Sequence, residues 1–233
     1  MKIGEIGGRL GDWVEVEVGG ERVRLLGARG MYWARGATLF VADPHFGKAD
    51  AFQAAGVPVP SGATAADLAR LDACLAATGA TRLVVLGDFF HAKASQSESV
   101  LDTLRTWRDH HPRLDVILVG GNHDRHAGPP PADLGIITVD EPFALGPFAC
   151  CHHPPDALEP APPGYALAGH LHPVAALRDV DGTRHRFPCF HVGARHAVLP
   201  AFGTFTGGHT IHPVRGDRVF VVCDGAVFAA ATR

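Results

Sequence analysis

Five short polar clusters in this chain carry the side chains that hold cations: Asp43-Pro44-His45, Gly87-Asp88, Gly121-Asn122-His123-Asp124, His152-His153-Pro154 and Gly169-His170-Leu171-His172. Any one alone reads as an ordinary turn. Five in series, each at the end of a predicted strand, point to one assembled site. The donors comprise two carboxylates, an amide and four or more imidazoles, with no thiolate spacing. Such oxygen and nitrogen ligands suit Mn, Fe, Zn, Co or Mg. They outnumber the needs of a single ion. Seven protein ligands with one carboxylate shared fit two ions about 3.5–4 Å apart, an arrangement that serves displacement at a phosphoester.

The elements that must position these clusters follow from periodicity. Trp13 to Val18 and Glu21 to Leu26 alternate about Gly19-Gly20 and predict a hairpin. Thr38 to Ala42, Arg82 to Leu86 and Val116 to Val119 are short apolar runs that read as buried strands, running into Asp43, Gly87-Asp88 and Gly120. Helical spacing of Leu68, Leu71 and Leu75 predicts a helix over 63–78, capped by Thr64 or Ser61, and a second helix is expected over about 97–110. This β-α-β-α-β order implies a parallel sheet with right-handed crossovers, whose carboxyl edge is where such sheets place their chemistry. Beyond residue 135 short strands dominate: 136–139, 147–151, 165–168, 174–180, 183–187, 218–223 and 226–229. They predict a second, mostly antiparallel sheet packed on the first.

Composition sets the bounds. The chain has 233 residues, 46% hydrophobic and 19% charged, so it can bury a substantial core, and one domain over residues 1–233 is expected. No uncharged apolar stretch approaches the roughly 18 residues that cross a bilayer, and the start, MKIGEIGGRLGDWVEVEV, lacks the apolar core of a signal peptide. A cytoplasmic protein is expected. The five cysteines form no CxxC pair and read as reduced thiols. A formal charge of −3 argues against a protein that coats nucleic acid through a generally basic surface, although local charge can differ.

The series D-x-H, G-D, G-N-H-D, H, G-H-x-H along residues 43–172 resembles the binuclear metallophosphoesterase (calcineurin-like) superfamily. The resemblance implies an α/β fold, a four-layer α/β/β/α sandwich of two mixed β-sheets flanked by helices. It implies two divalent metal ions, with Mn2+ foremost and Zn, Fe or Co as alternatives. Asp43, His45 and His172 would hold the first ion, Asp88 would bridge both, and Asn122, His170 and His152 would hold the second, with His153 a rival for the last place. His123, beside a ligand without being one, would protonate the leaving oxygen or stabilise charge on the phosphoryl group. Asp124 would orient a histidine. The nucleophile would be a hydroxide shared by the metals, since a divalent ion can lower the pKa of its water to about 7.

Finer features narrow the substrate. Gly87 to Lys93 resembles the GDLFH segment of DNA double-strand-break repair nucleases, which would place His91 against the phosphate. Tyr32-Trp33, Val41 to Ala49, Phe52, Gly56 to Pro60 and Leu199 to Gly208 resemble the bacterial ligase-associated DNA damage response endonuclease (PdeM) family. That family implies a manganese-dependent endonuclease on single-stranded DNA, linked in DNA repair to a helicase, an exonuclease and a DNA ligase. Lys48, Lys93, Arg125 and Arg195 are candidates to meet phosphates, and Phe46, Phe89 and Phe90 to stack on bases. The alternative is a phosphodiesterase for cyclic or other small nucleotides. A non-catalytic scaffold is disfavoured because every ligand and the GNHD histidine are retained.

Overall fold

The computed structural model describes residues 3–158, 160–178 and 181–232. Strand β1 (Ile3–Gly11) comes first, then the hairpin β2 (Trp13–Val18) and β3 (Glu21–Leu26), β4 (Met31–Trp33) and β5 (Thr38–Val41). Helices α1 (Lys48–Ala54) and α2 (Ala63–Thr78) lead to β6 (Arg82–Leu86); α3 (Glu98–His110) leads to β7 (Asp115–Val119); α4 (Asn122–Ala127) precedes β8 (Ile136–Val139). These strands form a seven-stranded sheet in the order β2-β3-β4-β5-β6-β7-β8. Its β5 to β8 half is parallel, as the alternation with helices demands, and its hairpin half is antiparallel.

The remaining strands are β9 (Phe143–Leu145), β10 (Phe148–Cys150), β11 (Tyr165–Ala168), β12 (Pro173–Arg178), β13 (Arg184–Val192), β14 (His196–Val198), β15 (His209–Thr210), β16 (Arg218–Cys223) and β17 (Ala226–Thr232). With β1 they make a ten-stranded sheet. It is largely antiparallel, but β10, β11 and β14 run parallel, which brings the carboxyl ends of β10 and β11 to the same edge.

Alternation along the central strands builds two cores. Leu39, Val41, Leu83, Val85, Val116 and Leu118 face α2 and α3, where Leu68, Leu71, Leu104 and Trp107 cover them. Their neighbours Phe40, Val84, Leu86 and Val119 face the second sheet and meet Phe148, Leu167, Phe190 and Leu199. Phe148 sits at the centre of this seam, edge-on to Trp33 at 5.3 Å and to Phe40 at 5.9 Å.

The sandwich of two mixed sheets with helices is therefore as expected, with local departures. Strand β8, expected in the second sheet, extends the first by pairing with β7. Among the described residues every α-helix lies between Lys48 and Ala127, so strands cover the outer face of the second sheet, where Ala175, Leu177 and Ile211 pack on Cys189, Val219 and Val221. Neither Thr64 nor Ser61 caps α2; the N-cap is Gly62, and the Thr64 hydroxyl instead accepts the Gly47 N–H at 2.9 Å. Ser97 does cap α3, accepting from Val100. The described cysteines are unpaired. Among the described residues no helix is long and apolar enough to cross a membrane.

Phe148→Ala should lower the free energy of unfolding by about 3–5 kcal/mol, since it empties the seam between the sheets. Urea titration followed by both far-UV circular dichroism and tryptophan fluorescence checks this, and coincident transitions are expected if the chain is one domain.

Candidate metal centre

The five clusters meet at one edge of the sandwich, each in the segment that follows the carboxyl end of β5, β6, β7, β10 or β11, the third of them in the first turn of α4. Asp88 lies at the middle. Its Oδ2 is 3.7 Å from His45 Nε2, while its Oδ1 is 3.5 Å from His152 Nε2. On the first side His172 Nε2 lies 3.2 Å from His45 Nε2 and 3.7 Å from Asp43 Oδ2. On the second, His152 Nε2 lies 2.8 Å from Asn122 Oδ1 and 3.1 Å from His170 Nδ1. The seven expected ligands thus form two donor sets that share the two oxygens of one carboxylate.

The donor set fits cations. Imidazole nitrogens about 3 Å apart with no proton donor demanded between them, beside buried carboxylates, leave lone pairs converging on two points. Asp43, His45, Asp88 and His152 are buried. Burial, with Asp43 as the next cause, pushes the Asp88 carboxyl up to about 7; positive charge between the two acids relieves that repulsion. Burial pushes the His152 imidazole down to about 4, and it likewise holds His45 far below the ordinary range, so both rings are neutral and able to ligate. Burial also opposes charge on His172, but Asp43 and Asp88 more than offset it and raise that group.

The backbone is bent to this purpose. Asp43, His45, Asp88, His170 and His172 all adopt left-handed φ, between 46° and 67°, which costs on the order of 1–3 kcal/mol each for non-glycine residues. The preceding glycines make room. A Cβ on Gly87 would lie 2.0 Å from His152 Nδ1, and one on Gly121 would lie 2.4 Å from Asp88 Oδ1.

Hydrogen bonds fix the tautomers. His152 Nδ1 donates to the Leu86 carbonyl at 3.1 Å, leaving Nε2 bare toward Asn122 and Asp88. His153 differs: its Nδ1 donates to Glu141 Oε1 at 2.6 Å, and Glu141 Oε2 accepts the backbone N–H of His152 and of His153. His153 remains near the second set, its ring 4.6 Å from that of His170, but the ring that points at Asn122 and Asp88 is that of His152. His123 Nδ1 donates to the His91 carbonyl at 2.6 Å, so Nε2 faces the centre, 4.0 Å from Asp88 Oδ2.

Two expectations need correction. Asp124 orients no histidine. Its carboxylate accepts backbone N–H groups from Asp88 and Gly121, at 2.8 and 2.9 Å, and from Phe89 and Phe90, so it clamps the loop that carries Asp88. Phe46, Phe89 and Phe90 are 3%, 2% and 0% exposed and belong to the core beneath the helices, out of reach of a base. The accessible aromatic next to the site is Phe205, edge-on to Phe52; Phe52 in turn stacks on His91, and His91 on His123. His91 thus lies beside the centre, its ring 5.3 Å from that of His45. Lys48 is half-buried there, its charge disfavoured by burial and favoured by Asp88. Lys93 is exposed at the start of a short 3-10 turn and Arg125 on α4, and Arg195 lies farther out, between two strands of the second sheet. Glu141 carried no sequence signal beyond its place before a proline.

Residues 37–198 match the model of the calcineurin-like phosphoesterase family. This chain belongs to that family, and it is a hydrolytic phosphoesterase with that family's α/β fold. Among solved structures it is similar to the nuclease MPE of Pseudomonas putida, at 40% identity with a TM-score of 0.80, over 93% of this chain and 99% of that one. Yfce, a phosphoesterase from E. coli, is far more distant, at 14% identity and a TM-score of 0.38 over 80% of this chain and 88% of that one. No curated protein matches.

From the two histidine environments, His152→Ala should bind about one manganese fewer per chain, while His153→Ala should keep wild-type stoichiometry. Metal content after gel filtration checks both.

Proposed function

We propose that this protein is a manganese-dependent endonuclease that cuts single-stranded DNA by hydrolysing phosphodiesters, working in DNA repair alongside a helicase, an exonuclease and a DNA ligase in the cytoplasm. The observation that carries the reading is the division of Asp88 between two donor sets with His123 Nε2 beside it. The 40% identity to a nuclease supports a nucleic acid as the polymer.

Asp43, His45, His172 and Asp88 would hold one cation, and Asp88, Asn122, His152 and His170 the other. When bound, such a pair lowers the pKa of water and draws charge from the phosphoryl oxygens. The protein's own residues do the rest. His123, its Nδ1 proton committed to the His91 carbonyl, presents Nε2 to the scissile group and delivers a proton to the departing oxygen. Stacking between Phe52 and His123 holds the His91 ring parallel to its neighbour, where it can steady a non-bridging oxygen. Asp124 keeps Asp88 in register by accepting the backbone N–H groups of Asp88, Phe89 and Phe90 and that of Gly121 in the neighbouring segment. The second sheet closes the site when His152 bonds Leu86 and the His170 N–H bonds both Asp43 oxygens at 2.9 and 3.1 Å.

The test is cleavage of a circular single-stranded DNA across a panel of divalent metals. Linearisation with manganese is expected, and protein that opens cyclic nucleotides yet leaves the circle intact would overturn the reading. His123→Ala should keep its metal and lose turnover by roughly 100-fold or more, whereas Asp88→Ala should lose both metal and activity.

A further inference from the structure

The whole chain carries a charge of −3, yet its cations are not evenly spread. His172, a donor of the first set, forms one wall of a groove that also includes Arg29, Arg186 and Thr206. Arg186 is shared with a second groove that runs past Arg184 and His209 to His212. His212 in turn is shared with an open cavity of about 1110 Å³ whose rim carries Arg195, His196 and Arg215. That cavity returns to the centre at Leu171 and Pro154, the chain neighbours of His170 and His153. The three depressions therefore make one track that starts at a metal donor and continues over the second sheet.

The charges along it are of one sign. Five arginines line the track, Arg29, Arg184, Arg186, Arg195 and Arg215, and among its described residues there is one carboxylate, Asp217. Asp217 is already engaged, by His191 Nε2 at 2.7 Å. Arg184, Arg195 and Arg215 are exposed and make no ion pair or side-chain hydrogen bond among the described residues. Surface arginines in folded proteins usually find carboxylates when these are near; a row without them repels itself and is relieved by a polyanion. The guanidinium fork matches phosphate oxygens in pairs, and neutralising successive phosphates releases condensed counterions.

We propose that this track binds the sugar–phosphate backbone of a single strand on one side of the scissile phosphate, so that the enzyme engages a polymer and not an isolated diester. The proposal rests on the reading of the protein as a single-strand nuclease and adds where the strand runs. A variant with Arg184→Ala, Arg195→Ala and Arg215→Ala, loaded with manganese, tests it against wild type on two substrates, circular single-stranded DNA and bis-p-nitrophenyl phosphate. The ratio of DNA cleavage to small-diester hydrolysis should fall at least roughly tenfold, through KM, and the slope of log affinity for an oligonucleotide against log salt should shrink by about 2. Wild type that cuts DNA while the variant shows the same ratio and slope would overturn the track alone. Wild type that hydrolyses the small diester and leaves DNA intact would overturn the nuclease reading and the track with it.

Discussion

The carboxylate of Asp88 is the constraint on which the rest of the site turns. It is buried, it faces the Asp43 carboxylate, and its two oxygens look toward different clusters of imidazoles. Two acids so close in a place so dry are unfavourable without compensating positive charge, which is why burial and Asp43 together raise the Asp88 group to about 7. Asp88 is nevertheless held in a left-handed conformation by four backbone N–H bonds to Asp124 from its own loop and the next. Strain and repulsion concentrated at one residue, and kept there by a dedicated clamp, are what a pre-organised cation site requires.

The donors come from both sheets. Asp43, His45, Asp88 and Asn122 leave the first sheet, while His152, His170 and His172 leave the second. Donor distances are thus set by how the sheets pack, and the Phe40, Phe148 and Trp33 contacts at the seam are as much a part of the chemistry as the ligands. The short parallel run of β10, β11 and β14 within an antiparallel sheet has the same logic. Without it the histidines after β10 and β11 would emerge at opposite edges.

Much of this was legible in the sequence, because the clusters follow apolar runs whose period and length specify strands. The central strands, α2, α3 and the five clusters at the strand ends all stand where those patterns placed them. What escaped depended on contacts remote in sequence. Strand β8 looks like its successors, and only pairing with β7 assigns it to the first sheet. Asp124 follows a histidine directly in sequence but points back at main-chain N–H groups 34 to 36 residues away. Phe89 and Phe90 follow a ligand directly, yet their chain turns inward, and the accessible ring comes from Phe205, more than a hundred residues later. What distinguishes the surroundings of His152 from those of His153 is the Leu86 carbonyl and Glu141, neither of which belongs to a motif.

Anomalous diffraction at the manganese edge from crystals grown with the metal examines the shared carboxylate most directly. Two peaks on either side of Asp88, roughly 3.5–4 Å apart, are expected. A single peak at saturating manganese, or a pair of which Asp88 touches only one, would contradict it.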